Sequence, residues 1–489
     1  MHIRKLAGQT AIYGLSSIVG RLLNYFLVPL YTRVFLPAEY GVVTEFYAYV
    51  SFLIIVFTYG METTFFRFNE SELDKEKVFS TALISLLFSS ALLALICFFG
   101  SSALASMLRY PGHAEYVVWF GLILACDAVT SIPFARLRAQ GKPGRFAFLK
   151  FINILLNVAL NLFFLLACPF FFKQEQGWLH DFVLQFYNPS FGIGYIFISN
   201  LLASVLTLLL LLPSFKGIGA GFDKVLWRRM MLYSLPLLVA GLAGMINETM
   251  DRILLKYLLP PDTALEQVGI YGACYKLSIL MTLFIQMFRY AAEPFFFKQA
   301  KEDNARQVYA DVMTYFVLAC SFIFLGIMLY IDVVKFFIGP NYYPGLKVVP
   351  ILLLANLCLG VFFNLSIWYK LSGKTSYGAW FAVFGAALTL LLNAWWIPLF
   401  GYMGSAWATL VCYASMMLVS FYVGQKNYPV PYQMRRILLY LGVALGLYFI
   451  AVFMRSLMGN SLLPLLAFNT CLMGLFVGLV IWKEKAKIL

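Results

Sequence analysis

Long apolar runs separated by short polar segments make up almost the whole chain. Each run has about 20 mostly apolar residues, the length that an α-helix needs to cross a bilayer. Since a helix pairs its backbone N–H and C=O groups within its own segment, the pattern predicts an all-α membrane protein. We predict about fourteen spans, at residues 11–31, 41–61, 78–100, 116–135, 146–170, 191–213, 231–256, 269–290, 308–330, 347–368, 377–398, 404–424, 437–456 and 462–482.

The composition also indicates lipid as the natural solvent of this chain. Of its 489 residues, 62% are hydrophobic and 12% are charged, whereas soluble domains have about 25% charged residues. The net charge of +14 does not indicate a nucleic-acid partner, because Lys and Arg occur in short clusters between apolar runs. We therefore expect a multi-pass protein of the cell (inner) membrane that binds no nucleic acid.

Nothing in the sequence indicates a metal, a cofactor or a catalytic centre. The eight cysteines lie in apolar runs or at their edges and form no CxxC pair, and the three histidines do not cluster. We interpret the cysteines as small apolar packing residues. We expect no catalytic residue, no metal ligand and no cofactor.

Basic residues lie mainly in alternate loops. With the N-terminus in the cytoplasm, the internal segments hold 25 of the 36 Lys and Arg, the external segments seven and the spans four. The positive-inside rule accounts for this bias. An even number of spans is required, so fourteen spans with both termini cytoplasmic are predicted.

Short motifs recur in the two halves of the chain. Asn24 recurs as Asn247, at an offset of 223, and Gly41 recurs as Gly269, at an offset of 228. Asn161 likewise has a counterpart 232 residues later, and the offsets grow smoothly along the chain. An even number of spans separates the copies, so the halves have parallel topology. Transporters with such repeats bind their substrate between the halves.

The repeat predicts two six-helix lobes in a pseudo-twofold arrangement, followed by a helix pair. The lobes and the pair are predicted at 1–215 (spans one to six), 222–425 (spans seven to twelve) and 437–482.

Polar residues inside the spans mark the candidate functional site, because a charged residue there costs at least ~2.5–3.5 kcal/mol unless it is paired or hydrated. The candidates for substrate binding are Arg21, Asn24, Lys150, Asn153, Asn157, Asn161, Asn247, Arg252, Tyr275 and Lys276. The candidates for ion coupling are Asp127, Glu248 and Asp251.

Two of these groups have both a structural and a functional interpretation. Arg21 either pairs with a carboxylate between helices or faces a hydrated cavity and binds an anion. Lys150 and the three asparagines that follow it occupy positions i, i+3, i+7 and i+11, one stripe of roughly 16 Å along a helix face. The amides could join helices or bind sugar hydroxyls in a cavity.

The acidic candidates also leave alternatives open. Glu248 and Arg252 have the spacing of an i,i+4 ion pair. Asp251 would not belong to that pair and would be available for another role. Asp127 is a candidate proton or Na⁺ site, or the partner of Arg21 or Lys150.

Three segments resemble a known family. GRLLNYFLVPLYTRVFLPAEYGV at 20–42, ARLRAQGKPGRF at 135–146 and NETMDRILLKYLL at 247–259 resemble the polysaccharide transporters, which are oligosaccharide flippases of the multidrug/oligosaccharidyl-lipid/polysaccharide exporter superfamily. The resemblance implies a polyprenyl-pyrophosphate-linked oligosaccharide as substrate, flipped to the outer leaflet by alternating access, with H⁺ or Na⁺ as a candidate coupling ion. It also implies cationic residues for the pyrophosphate, for which Arg21, Arg252 and Lys276 are the positions here.

Three other functions remain as alternatives. They are a cation-coupled multidrug antiporter of the same superfamily, a peptidoglycan-precursor flippase and a membrane enzyme of sugar polymerisation or transfer. Four basic residues within spans disfavour a drug-cation cavity, and the short external loops disfavour the enzyme.

Overall fold

The computed structural model describes residues 20, 22–174, 177–458 and 462–488. Within this part of the chain, all regular structure is helical. Twelve helices or joined helices of the described residues are long and apolar enough to cross a membrane, and one bent pair would be a thirteenth. These match the second to the fourteenth predicted span one by one. About half of the first predicted span lies outside the described residues, so fourteen spans and cytoplasmic termini stay predictions.

The helices in the first half of the chain are α1 (Val28–Val34), α2 (Pro37–Thr58), α3 (Met61–Ser71), α4 (Lys75–Phe99), α5 (Ser101–Met107), α6 (Ala114–Ala139), α7 (Pro143–Leu162), α8 (Cys168–Phe172), α9 (Trp178–Leu184), α10 (Gly194–Leu211) and α11 (Lys224–Leu258). Those in the second half are α12 (Pro261–Leu277), α13 (Ile279–Gln299), α14 (Ala305–Leu329), α15 (Ile331–Val334), α16 (Val349–Leu365), α17 (Ile367–Leu371), α18 (Ser376–Phe400), α19 (Tyr402–Asn427), α20 (Met434–Met458) and α21 (Leu462–Ile488).

The chain forms two compact units. The N-unit comprises Met1–Phe35 and Val43–Thr249, and the C-unit comprises Leu36–Val42 and Met250–Leu489. The division falls inside α11, whereas the sequence predicts lobes that divide between 215 and 222. Those lobe bounds, and the separate helix pair at 437–482, stay predictions.

One end of the N-unit has an apolar cluster bordered by ion pairs. Phe65 and Phe79 are at most 1% exposed within this cluster, which joins α3, α4, α6 and the start of α11. Beside it, three carboxylates each pair with an arginine on another helix: Glu62 with Arg138, Glu76 with Arg136, and Glu72 with Arg229. Three ion pairs therefore join the helices at this end of the unit.

Asp223 caps the first turn of α11. The N–H groups of Leu226 and Val225 donate to its carboxylate at 3.0 and 2.9 Å. These bonds, that of Leu226 first, hold the pKa of Asp223 below its usual value. Because an N-terminal cap satisfies N–H groups that have no partner within the helix, it sets the residue at which this 35-residue helix begins.

A π-helical turn interrupts the fifth predicted span. The N–H of Cys168 donates to the carbonyl oxygen of Phe163, five residues earlier, across the turn Phe163–Ala167. Pro169 follows immediately, and its ring would clash with a carbonyl four residues back in a regular helix. The wider turn lets the helix continue past this proline.

Two buried asparagines at the repeat offset of 232 make matching contacts within their own units. Asn161 and Asn393 are both 0% exposed, and each amide donates at 2.8 Å to the carbonyl oxygen four residues earlier. Each Oδ1 accepts a hydroxyl, from Tyr31 at 2.9 Å and from Ser405 at 2.7 Å. The shared bonding is what an internal duplication predicts for equivalent positions.

The glycine pair of the repeat forms a backbone contact inside the C-unit, which includes the start of α2. A Cβ on Gly41 would lie 1.9 Å from the carbonyl oxygen of Leu265, and a Cβ on Gly269 would lie 1.9 Å from that of Pro37. Both pairs have the same offset, since 269 − 41 and 265 − 37 both equal 228. The contact is therefore reciprocal, as a local twofold axis requires.

Replacing Gly269 with Ala should destabilise the protein by about 1–3 kcal/mol, because the new methyl group would overlap a backbone carbonyl that cannot rotate away. The measurement is the melting temperature of the detergent-purified chain. Gly446→Ala is the matched control, because a Cβ at this position of α20 meets no atom within 4 Å. Equal melting temperatures for the two variants would contradict the close contact.

Candidate functional site

The predicted site residues divide between the two units. The N-unit contains Asn24, Asp127, Lys150, Asn153, Asn157, Asn161, Asn247 and Glu248, and the C-unit contains Asp251, Arg252, Tyr275 and Lys276. Arg21 lies outside the described residues, so both of its predicted roles remain predictions.

The asparagine stripe of α7 has a structural part and an open part. Asn153 donates to α10, to the carbonyl of Ala203 at 3.1 Å and to the hydroxyl of Thr207 at 2.8 Å. Asn157 instead donates to Asn24, at 3.3 Å, and Asn24 is exposed. Asn153 and Asn161 therefore join helices within the unit. The contact of Asn157 with Asn24 instead leaves the amide of Asn24 accessible.

Asp127 and Lys150 form the charged part of the N-unit site. Ser204 of α10 donates to Asp127 at 2.8 Å, and the Lys150 ammonium lies 4.3 Å from the ring centre of Phe134. The charges of Asp127 and Lys150 attract each other, although no direct ion pair forms between them among the described residues. Lys150 itself is exposed.

A second polar contact lies beside Asp127. Asn200 of α10 donates at 3.1 Å to the hydroxyl of Tyr47 on α2, and this tyrosine senses the charge of Asp127. One oxygen of the Asp127 carboxylate has no donor among the described residues. A carboxylate that accepts one hydroxyl and lies near a lysine and a tyrosine can therefore exchange a proton or take a small cation.

At the N-unit end of α11, Asn247 is half-buried and Glu248 is exposed. Arg252 has an ion-pair partner next to it in the sequence, and the pair with Glu248 stays a prediction. Its guanidinium pairs with Asp251, with 3.1 Å between Nη1 and Oδ1.

Asp251 is the centre of the C-unit cluster. It is 4% exposed, and its carboxylate accepts the backbone N–H and the Nη1 of Arg252 at 2.9 and 3.1 Å. The hydroxyl of Tyr271, itself 0% exposed, donates to the other oxygen at 2.7 Å. With three donors this carboxylate is satisfied, which suits an orienting role better than the predicted ion-coupling role.

Arg252 is held in a fixed position by these contacts. Its guanidinium carbon lies 4.2 Å from the ring centre of Tyr275, one turn along α12 from Tyr271. An ion pair on one side and a cation–π contact on the other restrict the side chain.

Lys276 lies at a break between helices. α12 ends at Leu277, and α13 begins at Ile279 after a bend of 53°. Lys276 is exposed, and its positive charge and that of Arg252 repel each other. Transporters place binding groups at such breaks, where the N-terminus of the second half-helix is electropositive.

Sequence reasoning missed two buried charged residues. Glu45 on α2 is 0% exposed and accepts a hydrogen bond from the hydroxyl of Tyr110. Lys256 on α11 is 3% exposed, at the last position of the predicted span 231–256. The signal for Glu45 was available, since it is a carboxylate inside an apolar run.

Among the described residues, no group of three or more His, Cys, Asp or Glu side chains could hold a metal ion.

Comparison with known proteins supports one family and one fold. A sequence profile described as polysaccharide biosynthesis protein matches residues 6–300, and no curated protein sequence matches the chain. The solved structure titled lipid II flippase MurJ, inward closed conformation, has a TM-score of 0.69 at 12% identity, with 96% of this chain and 98% of that chain covered.

Two transporter structures of another branch have the same fold. An inward-facing multidrug resistance MATE family transporter of the MOP superfamily has a TM-score of 0.63 at 14% identity, over 83% of this chain and 94% of that one. A MATE structure in complex with MaD3S has a TM-score of 0.60 at 12% identity, over 86% and 95%. At such identities the structures show the fold alone. Because the profile covers more than half of the chain, this protein belongs to the polysaccharide biosynthesis protein family.

Proposed function

We propose that this chain flips a polyprenyl-pyrophosphate-linked oligosaccharide across the cytoplasmic (inner) membrane for surface polysaccharide synthesis, by alternating access. The observation that carries the proposal is the Lys276 ammonium of the C-unit, which is exposed and forms no ion pair in the described chain, close to the Arg252–Asp251 pair. A cation of a membrane-spanning segment that has no ion pair favours an anionic ligand.

A pyrophosphate fits these groups. Arg252 is oriented by Asp251 and Tyr275. Because the side chain is already ordered, binding a ligand costs less conformational entropy. Lys276 is exposed beside the N-terminus of α13, and it can approach an anion without breaking an ion pair within the described chain. The electropositive helix N-terminus favours the same anion, and lysine at such a site acts as a point charge for phosphate oxygens.

The sugar can be bound by the amides of the N-unit. Asn24 is exposed, and its contact with Asn157, at 3.3 Å, is the longest of the stripe. Amides supply both donors and acceptors to hydroxyls. Asn153 and Asn161 are already bonded within the protein, so in this proposal they position the helices and do not contact the sugar.

Replacing Lys276 with Gln should reduce transport about tenfold to a hundredfold, the effect of removing one hydrogen bond to a charged group. The variant is expressed as the sole copy in cells, and inner-leaflet lipid-linked oligosaccharide is measured together with surface polysaccharide. The expected result is accumulation of the lipid-linked precursor with loss of surface polysaccharide, because synthesis continues while flipping stops.

Two further variants serve as controls for the effect of Lys276→Gln. Lys276→Arg retains the charge and should restore most of the export. Lys173→Gln removes an exposed lysine from the loop after α8 and should leave export unchanged. Normal export in Lys276→Gln at normal membrane levels would rule out the pyrophosphate role of this residue.

We further propose that Asp127 couples transport to H⁺ or Na⁺. It accepts a single hydroxyl, from Ser204, and the charge of Lys150 acts on it. Binding of a cation or proton there would change the balance of charge with the exposed Lys150.

Replacing Asp127 with Asn should therefore abolish the dependence of transport on an ion gradient, because the amide can still accept from Ser204 but does not titrate. Flipping is measured in proteoliposomes under imposed pH and Na⁺ gradients. Asp181→Asn, an exposed carboxylate on α9, is the control. If the Asp127→Asn variant responds to both gradients as the unmodified chain does, Asp127 is not the coupling group.

A multidrug antiporter could have the same fold but would require a binding site with negative charge. A drug cation would be repelled by Arg252 and Lys276. Export of cationic dyes that depends on Lys276 would favour that alternative. A peptidoglycan-precursor flippase would instead rescue cells that lack that activity.

A further inference from the structure

The C-unit has a cavity of about 270 Å³ that is separate from the residues assigned to transport. It lies where α14 ends and α16 and α21 begin, with the last turns of α20 beside it. Its volume is close to the lower end of the range for small-ligand pockets, about 300–1,000 Å³. A cavity at the ends of several spans lies at the level where a bilayer has its headgroups.

The lining of this cavity has an excess of positive charge. Lys335, Lys347 and Arg455 line it together with one carboxylate, Asp332. Asp332 is 8% exposed, and it already pairs with Lys335, at 2.8 Å, and with Arg455. Lys347 forms no ion pair within the described chain, and it is exposed. Three cations around one carboxylate leave two positive charges for an anion.

One uncharged polar atom of the lining, the Oδ1 of Asn469, lacks a hydrogen-bond partner among the described residues. Asn469 of α21 is 6% exposed, and its amide nitrogen donates to the carbonyl oxygen of Leu329 at 2.6 Å. Its Oδ1 is buried and has no hydrogen-bond partner among the described residues. A buried acceptor without a donor is unfavourable, so a hydroxyl-bearing ligand in this cavity would relieve that cost.

The remaining walls are apolar and continue onto the surface of the spans. Tyr448, Val452 and Leu465 line the cavity, and Val452 is 47% exposed. Next to Val452 on α20, Phe449 and Phe453 are 64% and 63% exposed. A ligand with its head in the cavity would therefore have its apolar part against a surface suited to acyl chains.

We propose that this cavity binds the headgroup of an anionic phospholipid that also has hydroxyl groups. The phosphate lies between Lys347 and Arg455, a headgroup hydroxyl donates to Asn469 Oδ1, and the acyl chains lie along α20. A soluble anion would use the cations but would leave the apolar wall uncovered. The site does not depend on which substrate the chain transports, because it uses neither Arg252 nor Lys276.

The test uses the purified, delipidated full-length chain and native mass spectrometry with three probes: phosphatidylglycerol, phosphatidylcholine and inorganic phosphate. Phosphatidylglycerol should bind most tightly. Lys347→Gln should weaken that binding about fivefold, the effect of one basic residue near an anionic lipid. Lys173→Gln, which removes an exposed lysine from the N-unit, should not weaken it.

A second variant tests the cavity without a change of charge. Ala451 lines the cavity and is 9% exposed, so Ala451→Phe should fill the space and abolish phosphatidylglycerol binding in a protein that still elutes as a single species. Three outcomes would each overturn the proposal: equal binding of phosphatidylglycerol and phosphatidylcholine, equal binding of phosphatidylglycerol to the Lys347→Gln and Lys173→Gln variants, or displacement of the lipid by inorganic phosphate at equal concentration.

Discussion

Lipid as a solvent is the constraint on which the rest of this structure depends, because a polar group inside a span must find its partner within the protein. Most such groups do so locally. Asp251 accepts three hydrogen bonds, and Asn161 and Asn393 each accept a hydroxyl and donate to a carbonyl. Lys150 and Lys276 differ, since both are exposed and form no ion pair in the described chain. A cation inside a span is costly unless it is paired or hydrated, which is why we propose these two positions as sites of ligand contact or ion coupling.

The same constraint makes backbone contacts valuable, because no water competes for the space between two helices and close packing supplies the attraction between them. Gly41 and Gly269 allow α2 and α12 to approach until a single methyl group would overlap a carbonyl. The contact is built from equivalent residues of the two repeats. Such a contact requires only that each helix has a glycine at the crossing, whereas a side-chain contact requires two complementary side chains.

The spans could be predicted from sequence because hydropathy depends on composition over about 20 residues, whatever the neighbouring helices are. Helical periodicity also placed Asn153 and Asn157 on one face, but only the fold decides that the first bonds to α10 and the second to Asn24. Spacing along one helix also omits Tyr271 of α12, whose hydroxyl completes the environment of Asp251. The break at Ser278 has no proline or glycine to indicate it, so it arises from tertiary packing.

An excess of cations next to apolar surface occurs twice in the C-unit, at the break between α12 and α13 and at the ends of α14, α16, α20 and α21. An amphiphile with an anionic head suits both places, and bilayer phospholipid is far more abundant than any lipid-linked sugar. A transport site that recognised only phosphate would therefore be filled by phospholipid. Rejection requires contacts that a phospholipid head does not satisfy, and in our proposal Arg252 and Lys276 supply such contacts for the two phosphates. In this view the second cavity takes an anionic phospholipid, because it recognises one phosphate and a headgroup hydroxyl, whereas the transport site requires the larger head.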